Sequence, residues 1–158
     1  MRKFIILLTC FLMPIIAFCE DELKYDIESA GVSASGTTLV KVSVYVKKAK
    51  KASSSMLKKA AVHGIIFRGV NESSVTGFSK QRPLVQSPTA AQEHGAFFDN
   101  FFSEGGGYIS YATLVESSTK AVKVGKQYRV SATLNVSTDG LKARLREEGI
   151  IGRMTDGF

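Results

Sequence analysis

The sequence predicts an α+β fold, an antiparallel sheet of about three to five strands with helices packed on one face. Three observations predict it. Two stretches, Thr37–Val46 and Gln127–Ser137, alternate apolar and polar residues with period two. Three others, opening near Ser53, Ser87 and Thr138, repeat apolar residues at helical spacing. The resulting order is strand, helix, helix, strand, strand, helix, without the regular βα alternation that builds a parallel sheet.

Each element has its own signature. Tyr25 and Ile27 alternate with polar neighbours in a lead-in strand and turn over residues 23–36, ended by Gly31, Ser33, Ser35 and Gly36. In Thr37–Val46 the β-branched side chains of Val40, Val42, Val44 and Val46 share one face. Leu39, Lys41, Ser43 and Tyr45 share the other. A lysine-rich turn leads to Ser53, Ser54 and Ser55, any of which caps a helix well. Leu57, Ala60, Ala61, Gly64 and Ile65 then line one helical face. Alanine and glycine there predict close approach to the sheet, and Gly69 is the expected stop. The stretch from His63 to Phe67 also suits the start of a strand. Residues 70–87 read as a loop.

The second helix opens at Ser87-Pro88, or at a capping box formed by Thr89 and Gln92. Ala90, His94, Phe97, Phe98, Phe101 and Phe102 form its apolar stripe, and Gly105 to Gly107 stop it. Tyr108 to Val115 reads as a strand and Ser117 to Lys126 as a turn region, with Val122 and Val124 leading toward the next strand. In Gln127–Ser137 the residues Tyr128, Val130, Ala132, Leu134 and Val136 share a face. The last helix starts near Thr138 or Asp139, carries the pair Leu141 and Leu145, and stops at Gly149. The expected core contains Val40, Val42, Val44, Phe97, Phe101, Leu134 and Leu145.

Residues 1–19 read as a secretory signal peptide. Arg2 and Lys3 precede an apolar run from Phe4 to Phe18, Ala17 and Cys19 supply the small-x-small site, and Glu20, Asp21 and Glu22 follow. A spanning helix needs roughly 20 apolar residues, more than this run provides. Cleavage before Cys19, with lipidation of that cysteine, is the alternative processing route. Both cysteines, Cys10 and Cys19, lie in this leader. The mature chain, residues 20–158, is therefore expected to be a single exported domain without a disulfide or a transmembrane helix, periplasmic or extracellular, or an outer-membrane lipoprotein through Cys19.

Charge narrows the function classes. The chain carries a formal +7. No acidic residue lies between Glu28 and Glu72, where Lys41, Lys47, Lys48, Lys50, Lys51, Lys58, Lys59 and Arg68 fall. Lys47, Lys48, Lys50, Lys51, Lys58 and Lys59 are the candidate anion-binding residues, suited to anionic lipid or glycan. No aromatic residue is interleaved with them as a stacking platform requires, so nucleic acid is not an expected partner.

Catalytic and cofactor signatures are weak. The histidines His63 and His94 occur in neither HxxxH nor HExxH spacing, so no metal is expected. There is no GxSxG elbow. The glycine run at Gly105 to Gly107 precedes a predicted strand, whereas a phosphate cradle precedes a helix, so no nucleotide cofactor is expected. His63, Glu93 and His94 are the residues from which a pocket could be built.

The strings Ala61-Val62-His63-Gly64-Ile65-Ile66-Phe67-Arg68-Gly69, Glu93-His94 followed by Phe97-Phe98 and Phe101-Phe102, and Lys123-Val124-Gly125-Lys126-Gln127-Tyr128 resemble small exported proteins of Bacteroidetes-type bacteria. That group carries no assigned activity, so the resemblance implies location and compactness but no mechanism. The element order also resembles small domains of outer-membrane-associated lipoproteins and assembly factors, a likeness of topology alone. The expected role is an exported, non-enzymatic interaction or structural module whose partner is an envelope protein. Binding of an anionic surface polymer through the lysine-rich loop is the first alternative, and hydrolysis at an unrecognised site the second.

Overall fold

The computed structural model of the protein describes residues 23–31, 34–73 and 80–152. The expected leader, residues 1–19, lies outside the described residues. Five strands, β1 (Tyr25–Ser29), β2 (Thr37–Val46), β3 (Ala112–Leu114), β4 (Lys120–Val124) and β5 (Gln127–Ser137), form one antiparallel sheet. Its order is β1-β2-β5-β3, and β4 pairs the same flank of β5 further along. The α+β architecture expected from the alternating and helical periods is the one observed.

The alternation of β2 is a burial pattern. Val40, Val42 and Val44 are fully buried, as are Leu134 and Val136 of β5. The register places Val40 opposite Leu134 and Val42 opposite Ala132, so one apolar surface runs across both strands. Helix α1 (Ser54–His63) crosses that surface, capped by Ser53, whose hydroxyl accepts from the Met56 amide at 3.1 Å. Ala60 and Ala61 are fully buried. At Gly64 an added Cβ would lie 2.8 Å from Ile27 Cδ1, so a side chain there would have to displace Ile27 from its place against the helix. The chain continues through a π turn, Gly64–Arg68. It ends at Gly69, whose φ of +75° places it where side chains are disfavoured. His63–Phe67 is thus helical, because the wide turn keeps Ile65 and Ile66 on the buried face.

Three elements differ from the sequence reading. The single helix expected from Ser87 onward is two short ones, α2 (Ala90–Glu93) and α3 (Gly95–Phe101), broken at His94 with φ −111° and ψ +30°. The break turns Phe98 and Phe101 into the core and leaves Phe97 half-buried. The expected strand from Tyr108 begins as a 3-10 turn, Gly107–Tyr111, which buries the Tyr108 ring; only Ala112–Leu114 is strand. The expected turn region contains β4, whose five residues are all exposed and are held by their pairing with β5. Between β3 and β4 the chain bulges: Ser118 Oγ donates to the Val115 carbonyl at 2.6 Å, and the Thr133 amide donates to Ser118 Oγ at 3.1 Å.

Helix α4 (Thr138–Glu147) leaves β5 directly and buries Leu141 and Leu145. The two sheet edges are treated differently. At β1 the Asn71 amide donates to the Ile27 carbonyl at 3.2 Å, and the Ser29 amide donates to the Asn71 carbonyl at 3.1 Å. Arg68 donates to the Tyr25 carbonyl at 3.1 Å. At the other edge β4 shows Lys120 and Lys123, which discourage pairing with another chain.

Candidate functional site

The topology brings four chain ends together. β1 starts, β2 ends, β4 ends and β5 starts at the same end of the sheet: Tyr25 lies opposite Val44, Val46 opposite Tyr128, and Val124 opposite Gln127. The lysines flanking these positions come with them. Lys24 precedes β1, Lys47 and Lys48 follow β2, and Lys126 sits in the β4–β5 turn. The 3-10 turn Ala49–Lys51 adds Lys50 and Lys51, and Lys123 and Arg129 stand on the hairpin behind them.

All of these cations are exposed. Among the described residues, none of Lys24, Lys47, Lys48, Lys50, Lys51 and Lys126 belongs to an ion pair. Among the described residues, Asp26 is a nearby carboxylate; it accepts a hydrogen bond from the Tyr45 hydroxyl at 2.7 Å. That bond holds the Tyr45 phenol above its ordinary range, burial adding to it.

A groove of about 470 Å³ opens at this end. Leu23, Val46 and Met56 give it apolar walls, and Lys24, Lys47 and Lys51 line it with ammonium groups. Tyr45 and Gln127 complete it. The combination suits a ligand that is anionic on one side and apolar on the other: ammonium groups act as unspecific point charges, and apolar walls gain from covering.

The predicted lysines divide. Lys47, Lys48, Lys50 and Lys51 gather at the basic end, whereas Lys58 and Lys59 ride half-buried on α1. Lys59 acts toward His63: its charge helps hold the histidine neutral. Lys24 and Lys126 were not among the expected residues. They lie far from Lys47–Lys51 in sequence, and only the pairing of β1 with β2 and of β4 with β5 signals their proximity.

The histidines and Glu93 serve other contacts. His63 is half-buried, and the Tyr25 hydroxyl lies 2.6 Å from its Nδ1. Its ring packs against Phe67 and Phe102 at centroid distances of 4.9 Å and 5.5 Å. Burial first, then Arg68 and Lys59, lower its pKa from 6.5 to about 4. The hydrogen bond joins the phenol to the neutral ring, and the histidine tautomer sets which of the two donates. Burial raises the Tyr25 phenol to about 12, partly offset by Arg68, whose guanidinium lies 4.3 Å from the ring centre. Glu93 is exposed and accepts from the Thr89 hydroxyl at 2.7 Å. His94 is half-buried at the α2–α3 break, its carbonyl accepting from the Phe98 amide at 3.1 Å.

Further grooves lie elsewhere among the described residues. One, of about 770 Å³, lies between α3, the 3-10 turn and α4, where Arg144 pairs with Glu147 at 3.4 Å and Glu148 at 2.7 Å. Another, of about 390 Å³, lies at the far end of the sheet beside Gly36, Arg82 and Lys142. Neither contains His63, Glu93 or His94. Among the described residues no group of three His, Cys, Asp or Glu side chains is placed to hold a metal ion. No helix among them is long and apolar enough to cross a membrane.

Comparison with protein-family models, with curated proteins and with solved structures finds no match to this chain.

Proposed function

We propose that this protein is an exported, non-enzymatic binding module that docks on an anionic surface through the basic end of its sheet. One observation carries the reading: the strand register gathers Lys24, Lys47, Lys48, Lys50, Lys51 and Lys126 at one end without a carboxylate partner among the described residues. Clustered cations raise the local potential and attract polyanions at long range. Export through residues 1–19, either as a cleaved leader or with lipidation at Cys19, supports the reading, because the envelope is rich in anionic lipid and glycan.

The attraction is weak and salt-sensitive. Exposed charges farther apart than about 8 Å are screened at physiological ionic strength. Retention on immobilised dextran sulfate tests the reading. The protein should be held at low salt and released near physiological salt. Replacing Lys47, Lys48, Lys50 and Lys51 with serine should abolish retention while the circular dichroism spectrum stays unchanged. Retention that survives high salt, or that ignores these substitutions, places the binding surface elsewhere.

A further inference from the structure

We propose that the anionic surface is a phospholipid bilayer, and that the basic end of the sheet is the membrane-facing end of the protein; the inference rests on the reading above. Two observations single out a bilayer among anionic partners. The first is the make-up of the groove. A soluble polyanion asks only for charge, yet Leu23, Val46 and Met56 set apolar walls directly beside Lys24, Lys47 and Lys51. Side chains with apolar stems and charged tips suit the boundary between headgroups and acyl chains.

The second is the path of the chain. The apolar run Phe4–Phe18 is followed by Cys19, Glu20, Asp21 and Glu22, and then by Leu23, which itself lines the groove. Four extended residues span at most about 14 Å. If the leader is retained in the bilayer, or if Cys19 carries an acyl chain, the end of the sheet nearest Leu23 is the one brought to the membrane surface. Glu20, Asp21 and Glu22 subtract from the attraction, but with Asp26 they are outnumbered by Lys24, Lys47, Lys48, Lys50, Lys51, Lys123, Lys126 and Arg129.

The chain has no tryptophan, so a single introduced one reports on its own surroundings. Gln127→Trp puts it at the groove, and Gln81→Trp puts it in the groove at the far end. Each full-length variant is mixed with vesicles of phosphatidylcholine alone or of phosphatidylcholine with phosphatidylglycerol. The expected result is a blue shift of Gln127→Trp emission that is larger with phosphatidylglycerol, and no shift for Gln81→Trp. Vesicles of phosphatidylcholine alone control for insertion of the leader by itself. Adding Lys24→Gln, Lys47→Gln and Lys51→Gln should weaken the phosphatidylglycerol-dependent binding on the order of 100-fold, at about five-fold per lysine near an anionic surface.

A shift at the far end, or a groove response that is equal on both vesicle types, overturns the bilayer assignment. If the protein is retained on dextran sulfate in a lysine-dependent way but ignores phosphatidylglycerol, the basic-end reading stands and the bilayer falls. If it ignores both, the two fall together.

Discussion

The two ends of the sheet are built on opposite plans. At the far end, polar groups are buried and tied across long stretches of chain. Thr138 Oγ1 donates to the Gly36 carbonyl at 3.1 Å, and the Asp139 amide donates to the same carbonyl at 3.0 Å. Thr38 and Thr138 are both buried there. At the near end the cations are exposed and, among the described residues, without carboxylate partners. The difference teaches a division of labour. Stability is carried by the apolar face of the sheet and the closure at Gly36, so the basic end is free to vary in charge without threatening the fold.

The largest expected effect tests the first half of that division. Leu141 is fully buried on α4, immediately beyond the far-end closure. Leu141→Ala should cost about 2–5 kcal/mol in reversible denaturant unfolding. Phe98→Ala should cost about 3–5 kcal/mol, because that ring is buried and meets Phe67 at 4.9 Å and Phe97 at 5.1 Å. Phe97→Ala should cost clearly less, since Phe97 is half-buried and its ring stacks on Phe101 from the outside. Equal losses at Phe97 and Phe98 would mean that the break at His94 is absent in solution.

A second test uses pH, through the Tyr25–His63 contact that ties β1 to α1. The sign follows from the direction of each displacement. His63 is held below its ordinary value of 6.5, at about 4, so the unfolded chain takes up the proton first as pH falls. Its stabilisation is present above pH 6.5 and is lost as pH drops toward 4. Tyr25 is raised from 10.0 to about 12, so the unfolded chain loses its proton first as pH rises. That contribution is present below pH 10 and is lost between 10 and about 12. Stability should therefore form a plateau between the two windows. His63→Gln should flatten the acid side, and Tyr25→Phe the alkaline side. An acid limb unchanged by His63→Gln would show that other groups govern it.

What could be read in the sequence, and what could not, follows the same division. The buried faces of β2 and β5 were legible because burial on one face imposes a period of two. Ala60, Ala61 and Gly64 were legible because small residues on a helix face mean close approach. β4 was not legible: an edge strand with no buried residue has no apolar face to declare itself, and Lys120 and Lys123 resemble a loop. The 3-10 turn at Gly107–Tyr111 read as a strand because Tyr108 and Ile109 favour strands. The break at His94 was hidden under an aromatic stripe that fits an unbroken helix. At the candidate site, Lys47, Lys48, Lys50 and Lys51 were visible as a run. Lys24 and Lys126 join them only through strand pairing, which local patterns do not reveal.

A smaller effect is expected at the closure itself. Thr138→Val removes the hydroxyl donor but keeps the shape. The Gly36 carbonyl still accepts from the Asp139 amide, so no buried acceptor is orphaned. The loss should be about 0.5–1.5 kcal/mol, that of one ordinary hydrogen bond. A loss of several kcal/mol would show that the far end is held chiefly by this one contact.

The smallest effect is the most informative, because it concerns the stability of the variant whose binding should change most. Replacing Lys47, Lys48, Lys50 and Lys51 with serine removes no contact with a carboxylate among the described residues and exposes no core residue. Exposed substitutions of this kind usually fall within about 0.5 kcal/mol. The sign should be positive. Two like charges about 10 Å apart in water repel by roughly 0.4 kcal/mol before salt screens them, and the native fold holds these lysines closer to Lys24 and Lys126 than an unfolded chain does. The variant should therefore be slightly more stable than the parent at low salt, and the gain should vanish as salt rises. A loss above about 1 kcal/mol, well outside that range, would show that the lysines brace the fold after all, and the contrast between the two ends would collapse.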